Sequence, residues 1–115
     1  MIRYKVVTDD RKSMNRSCGS YELEYIRETK VFGKEGTLGV FCFKTKKDAT
    51  EFILANEYTR SKYGLRILRV RPIGRGKVPK YVLSGNIQTS ILVDDYTDSE
   101  PPKGTICYPA VEVLD

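Results

Sequence analysis

The apolar residues of this chain recur mainly in short runs that alternate with polar residues, and only one segment has helical spacing. Ile2, Tyr4 and Val6 alternate with Arg3 and Lys5, which predicts an early strand with one face toward solvent. Because an alternating strand buries only one of its sides, this pattern predicts a fold whose core is built mainly on a sheet.

Several further segments are predicted to be strands. Residues 21–25 alternate in the same way, and residues 38–43 form a continuous apolar run, typical of a central strand covered on both faces. Residues 106–114 predict a strand interrupted at Pro109, which suggests a sheet edge or a bulge. Residues 81–93 are mixed in character and could hold one more strand.

One strand carries arginines on a face of its own. Residues 65–71 alternate and are followed by Pro72, which predicts the end of the strand. Leu68 and Val70 define one face, and the opposite face carries Ile67, Arg69 and Arg71. Arginines repeated on one face of a strand call for a functional explanation more than arginines in a loop do. This face is therefore a candidate binding surface.

The segment with helical spacing begins after residue 45. Thr45 lies three residues before Asp48, a near-match to a capping box, and Ala49, Phe52 and Ile53 give the helix one apolar face. We therefore predict a single α+β domain over residues 1–115, with a mostly antiparallel sheet of about five strands and one main helix packed on it.

Length and composition place the chain among ordinary globular domains. It has 115 residues, of which 40% are hydrophobic and 30% charged, enough to bury a core without disulfide or metal staples. No apolar stretch is long enough to cross a bilayer, and the first residues lack the apolar region of a signal peptide. We expect a cytoplasmic protein with no membrane partner.

The chemistry of the side chains excludes several reaction classes. The chain has no histidine, which closes Ser-His-Asp and Cys-His mechanisms and histidine ligation of metals. Cys18, Cys42 and Cys107 are far apart, so we expect reduced thiols, with Cys42 a small buried apolar residue in its strand. We predict no catalytic residue, no metal and no cofactor.

Charge is distributed unevenly along the chain. Residues 58–93 contain no acidic residue but carry Arg60, Lys62, Arg66, Arg69, Arg71, Arg75, Lys77 and Lys80. In residues 94–115 the balance reverses, because acidic residues outnumber the one cation, Lys103. This asymmetry favours an anionic partner. Alternatively, the two parts neutralise each other as surface ion pairs in the folded chain.

The basic segment supplies the candidate site residues. We expect anion contacts from Arg66, Arg69, Arg71, Arg75 and Lys77, because guanidinium forks match phosphates, with Tyr63 or Tyr81 as a stacking ring. The first hypothesis is a small non-enzymatic binding protein for a phosphate-bearing nucleotide, allowing for a homo-oligomer. A nucleic-acid-binding protein that uses the same surface and an enzyme of carboxylate or tyrosine chemistry are the alternatives.

Residues 74–77 read Gly-Arg-Gly-Lys after this strand. Glycine would let backbone N–H groups approach a phosphate closely, while the two cations supply charge. The segment lacks the full P-loop pattern. It is interpreted either as a phosphate cradle or as a solvated hairpin loop.

Three resemblances accompany these patterns. The run from Thr37 to Phe43, followed by a helical segment, resembles the RNP1 strand and helix of an RNA recognition motif, with Leu38 and Val40 at the two positions of the stacking rings. The same segment is similar to the strand-helix element of ADP-ribosyltransferase-like folds, which grip NAD-type ligands. In residues 4–8 (Tyr-Lys-Val-Val-Thr), 36–39 (Gly-Thr-Leu-Gly) and 101–114, the chain resembles small uncharacterised bacteriophage and mobile-element proteins. This resemblance suggests an accessory protein that acts on host defence or replication, and one class of such proteins sequesters nucleotide second messengers.

Overall fold

The computed structural model describes residues 1–13, 23–34, 38–79 and 101–115. Its elements are, in chain order, β1 (Arg3–Thr8), β2 (Lys30–Phe32), β3 (Val40–Phe43), α1 (Lys46–Ala55), α2 (Glu57–Tyr63), β4 (Leu65–Ile73), β5 (Thr105–Tyr108) and β6 (Ala110–Val113). The strands form one antiparallel sheet in the order β2-β6-β4-β1-β3-β5. The predicted α+β class is confirmed, with six described strands instead of about five and two helices instead of one.

The sheet curls until its two sides meet at the C-terminal strands. Only Pro109 separates β5 from β6, although β5 lies at one edge of the strand order and β6 lies near the other. Beyond β4 the chain continues to Lys77, whose backbone exchanges two hydrogen bonds with Cys107 of β5. The N–H of Gly33, just after β2, donates to the carbonyl of Pro109 and extends the pairing of β2 with β6. The sheet therefore closes into a small barrel, with β2 as an outer strand beside β6.

The core has an inner and an outer part. The interior of the barrel holds a cluster formed by Val7, Tyr25, Val31, Val40, Cys42, Leu68, Val70, Tyr108, Val111 and Val113. Outside the barrel, Ala49 and Phe52 of α1 pack on Val6 and Phe43, with the two phenyl centroids 5.1 Å apart. Fully burying a side chain of this size contributes roughly 1.5–3 kcal/mol.

The predicted helix forms, but it is divided. The backbone N–H of Asp48 donates to the hydroxyl of Thr45 at 3.1 Å, so Thr45 is the predicted N-cap. Asn56 interrupts the helix between α1 and α2, and its side-chain amide donates to the carbonyl of Phe52. This hydrogen bond satisfies a carbonyl at the end of α1, after which α2 runs to Gly64.

The strand predicted over residues 21–25 is wrong where it can be described. Leu23 and Tyr25 hydrogen-bond to the turn after β1 and make only one isolated bridge, at Glu24. The paired strand β2 lies further along the chain and is too short to show a period. Alternation of polarity in this region reflects the burial of Tyr25 and not a long ladder.

The other strand predictions fare better. All four residues of β3 are buried, as predicted, but β3 lies second from the β5 edge, and the middle of the sheet is β4 and β1. β4 continues past Pro72 to Ile73, because Pro72 still pairs in register with Val111. The interruption at Pro109 is confirmed, and it sends β5 and β6 to different partners. The segment over residues 81–93 lies outside the described residues.

Candidate functional site

β4 presents arginines outside the barrel, as its alternation predicts. Leu68 and Val70 are buried in the interior, and Arg69 and Arg71 are exposed on the other face. Helix α1 covers the beginning of that outer face, where Leu65 and Ile67 contact its apolar side. The guanidinium groups therefore lie on the part of the outer face beside β6 that α1 leaves open.

Both arginines are paired with carboxylates from the C-terminal part of the chain. Arg69 lies 2.8 Å from Asp115 and Arg71 lies 2.5 Å from Glu112, while the two arginine side chains remain 59% and 56% exposed. Hydrogen bonds from the Arg69 side chain and backbone hold the pKa of the Asp115 carboxyl below its usual range. The neutralisation considered as an alternative thus occurs at these two positions, although exposed pairs of this kind contribute little to stability.

The Gly-Arg-Gly-Lys segment forms a turn, and its last residue, Lys77, makes an isolated β-bridge to Cys107. Gly74 has a φ of +86°, and a Cβ on Gly76 would lie 2.8 Å from a ring atom of Tyr108. The N–H of Lys77 is already donated to the carbonyl of Cys107. Backbone conformation therefore explains the glycine at position 74, and close packing explains the glycine at position 76. This arrangement favours the loop interpretation over a phosphate cradle. The side chains of Arg75 and Lys77 are exposed.

The remaining predicted residues lie elsewhere. Arg66 is exposed and in register with Val7, so it leaves the opposite face of the sheet from Arg69. Tyr63 is half-buried at the end of α2, with the ammonium of Lys62 5.2 Å from its ring centroid. Tyr81 lies outside the described residues. The five predicted cations are thus all exposed to solvent but do not converge on one point.

One cleft lies on the helical side of the described molecule, away from these cations. It has a volume of about 280 Å³ and is lined by Asp48, Glu51, Phe52, Ala55, Asn56, Pro102 and Lys103. Its lining is mainly apolar and includes the two carboxylates of Asp48 and Glu51. Sequence reasoning missed it because the helix face at Asp48, Phe52 and Ala55 gives no sign that Pro102 would be placed against it.

A second feature that the sequence concealed is a buried lysine. The alternation of β1 predicts a solvent-facing Lys5, yet Lys5 is fully buried, with its ammonium 5.3 Å from the ring centroid of Tyr25. The prediction fails because β1 is covered on both faces, by α1 and by the closed barrel. Burial lowers the pKa of Lys5 to about 8.

Burial also governs the groups around Lys5. It raises the pKa of the Tyr25 hydroxyl well above its usual range and raises the pKa of the Cys42 thiol to about 12. Cys42 is fully buried, which agrees with the structural interpretation of this residue. A protonated thiol without solvent access is a poor nucleophile.

Within the described ranges, no group of three or more acidic or cysteine side chains is placed to hold a metal ion, and no helix is long and apolar enough to cross a membrane. Comparison of the chain with protein-family models, curated proteins and solved structures finds no match. The function is therefore inferred from the geometry of the chain itself.

Proposed function

We propose that this chain is a nucleic-acid-binding domain that contacts phosphates through the exposed cations of β4 and its continuation. The observation that supports this proposal is the open placement of Arg66, Arg69, Arg71, Arg75 and Lys77, all of which are exposed. The described cleft contains none of them. An open basic surface suits a polymer of phosphates, whereas a small nucleotide needs cations that converge around a pocket.

Distance supports the same choice. Arg66 and Arg71 are five residues apart on one strand, which places their Cα atoms about 17 Å from each other. Their side chains also leave opposite faces of the sheet. One phosphate group cannot contact both, but a nucleic-acid backbone that wraps around the sheet can.

The described cleft does not offer a better nucleotide site. Asp48 and Glu51 outnumber the one cation of the lining, Lys103, so the net charge of the cleft would repel a phosphate group. The volume of about 280 Å³ also falls just below the usual range for small-ligand pockets. The nucleotide hypothesis keeps only the local charge in its favour. The proposed cytoplasmic location and the resemblance to bacteriophage proteins are compatible with either ligand and stay predictions.

The five cations should not contribute equally. Arg69 and Arg71 must exchange Asp115 and Glu112 for phosphate, so part of each new contact replaces an old one. Arg75 and Lys77 form no ion pair with a carboxylate of the described residues and release only counterions when they bind. We therefore expect the Arg75 and Lys77 side chains to dominate affinity.

Fluorescence anisotropy with labelled single- and double-stranded oligonucleotides tests the proposal. The double variant Arg75→Ala/Lys77→Ala should bind at least roughly tenfold more weakly, and the slope of log K against log salt should flatten by about two. The matched control, Lys46→Ala/Lys47→Ala, removes the same charge from exposed positions at the start of α1. Its affinity should fall much less.

Two results would contradict the proposal. One is wild-type protein that binds neither oligonucleotide at low salt, and the other is a control variant that loses as much affinity as the Arg75/Lys77 variant. Cyclic and linear mononucleotides are titrated in parallel. Tight binding of one of them with a shallow salt dependence would favour the nucleotide hypothesis instead.

A further inference from the structure

The cleft beside α1 has the size and chemistry of a socket for one side chain. Its lining is mainly apolar, from Phe52, Ala55 and Pro102. The two carboxylates of Asp48 and Glu51 outnumber the one cation of the lining, Lys103, so the cleft carries net negative charge. A volume of about 280 Å³ is large enough to accommodate an aromatic side chain. The matching partner is therefore a segment that presents an aromatic ring next to a cation.

β2 of the same chain is such a segment. Phe32 is 63% exposed, and the exposed Lys30 lies two residues before it on the same face of the strand. The fold forces this display, because Val31 between them points into the barrel interior. Opposite Phe32 in the ladder stands Ala110, whose methyl group is too small to cover the ring.

Phe32 cannot fill the cleft of its own molecule. It is not among the residues that line the cleft, and β6 lies in the sheet between β2 and β4, the nearest strand that α1 contacts. Each copy therefore carries both an exposed phenyl ring and a cleft that the ring of another copy can enter.

We propose that a second copy of this chain occupies the cleft, with Phe32 of one copy inserted between α1 and Pro102 of the next. Lys30 then lies close to Glu51 across the contact and adds charge complementarity. Because the ring and the cleft are different surfaces, the contact either is reciprocated in a two-fold dimer or repeats into a closed ring or an open chain of subunits. This inference does not depend on nucleic-acid binding.

Sedimentation velocity of the protein alone, from about ten micromolar to one millimolar, measures the association. The wild-type weight-average mass should rise with concentration, and Phe32→Ser should keep the protein monomeric over the same range. The matched control is Tyr58→Ser, which removes a 76% exposed aromatic ring from α2 outside the cleft. Circular dichroism verifies that each variant is folded.

Charge reversal supplies a second, independent readout. Glu51→Lys should weaken association at least tenfold, while Glu57→Lys, an equal charge change on α2, should not. Adding Lys30→Glu to Glu51→Lys restores opposite charges across the contact and should recover the association. A wild-type monomer at one millimolar, equal effects of the Phe32 and Tyr58 variants, or no recovery in the double reversal would each overturn the proposal.

Discussion

Lys5 shows how a single residue can depart from the pattern of its strand. Its folded pKa of about 8 lies below the ordinary lysine value, so between pH 8 and 10.5 the unfolded chain binds a proton that the folded chain does not. Lys5 therefore contributes a rise in the free energy of unfolding across this window. The raised pKa values of Cys42 and Tyr25 oppose this rise at its upper end, because the folded chain then keeps protons that the unfolded chain has lost. Below pH 8 both states are protonated, and the folded state carries the full cost of a buried ammonium.

Replacing this ammonium should stabilise the fold. We expect Lys5→Met to raise the free energy of unfolding at pH 7 by about 1–3 kcal/mol. The contribution of Lys5, a rise of about 1.5 kcal/mol between pH 8 and 9.5, should disappear in the variant, so that the stability difference between variant and wild type shrinks by this amount. Urea unfolding at several pH values measures both effects, with the exposed Lys44→Met as control. An unchanged pH dependence in Lys5→Met would contradict the assignment.

Cys42 should act through packing alone. We expect Cys42→Ser to lower the free energy of unfolding by about 1–3 kcal/mol, because a hydroxyl in the apolar interior needs a hydrogen-bond partner. The folded fraction should bind oligonucleotides as the wild type does. Cys42→Ala is the companion variant, since it removes the thiol without adding a polar group. A Cys42→Ser protein of normal stability that has lost binding would indicate a chemical role for the thiol.

At the scale of the element, β4 combines a sequence signal with a tertiary one. The alternation of Leu68 and Val70 with Arg69 and Arg71 predicts its two faces correctly, because that pattern depends only on the pleat of the strand. The partners of the arginines could not be predicted, since Glu112 and Asp115 reach them only through the pairing of β4 with β6.

The pairing of β4 with β6 predicts that removal of a carboxylate raises the affinity for oligonucleotides, whereas removal of a cation lowers it. Glu112→Gln frees Arg71 from its ion pair, so affinity for oligonucleotides should increase about threefold or more, and the salt slope should steepen by about one. Glu57→Gln changes the net charge equally on α2 and should have a smaller effect. Equal gains from both variants in the anisotropy titration would show that only net charge matters.

At the scale of the molecule, the helix, its Thr45 cap and the α+β class follow from local patterns, whereas the barrel does not. Closure depends on contacts between residues far apart in the chain, such as the two hydrogen bonds between Lys77 and Cys107. The same closure buries Lys5 and places Pro102 against α1. The features that the sequence did not predict, the buried Lys5 and the cleft beside α1, therefore have one cause. The sheet curls, and no local periodicity of the sequence encodes that curl.

The bend at Pro109 also bears on how the chain reaches its folded state. β5 pairs with β3 and β6 pairs with β4 and β2, so the two described strands that follow β4 in the chain supply ladders on both sides of the barrel. Loops of tens of residues must close before most of these contacts form, which gives a high contact order and slow folding. During translation, strands β1 to β4 emerge with their pairing edges open and are exposed to aggregation until β5 and β6 leave the ribosome.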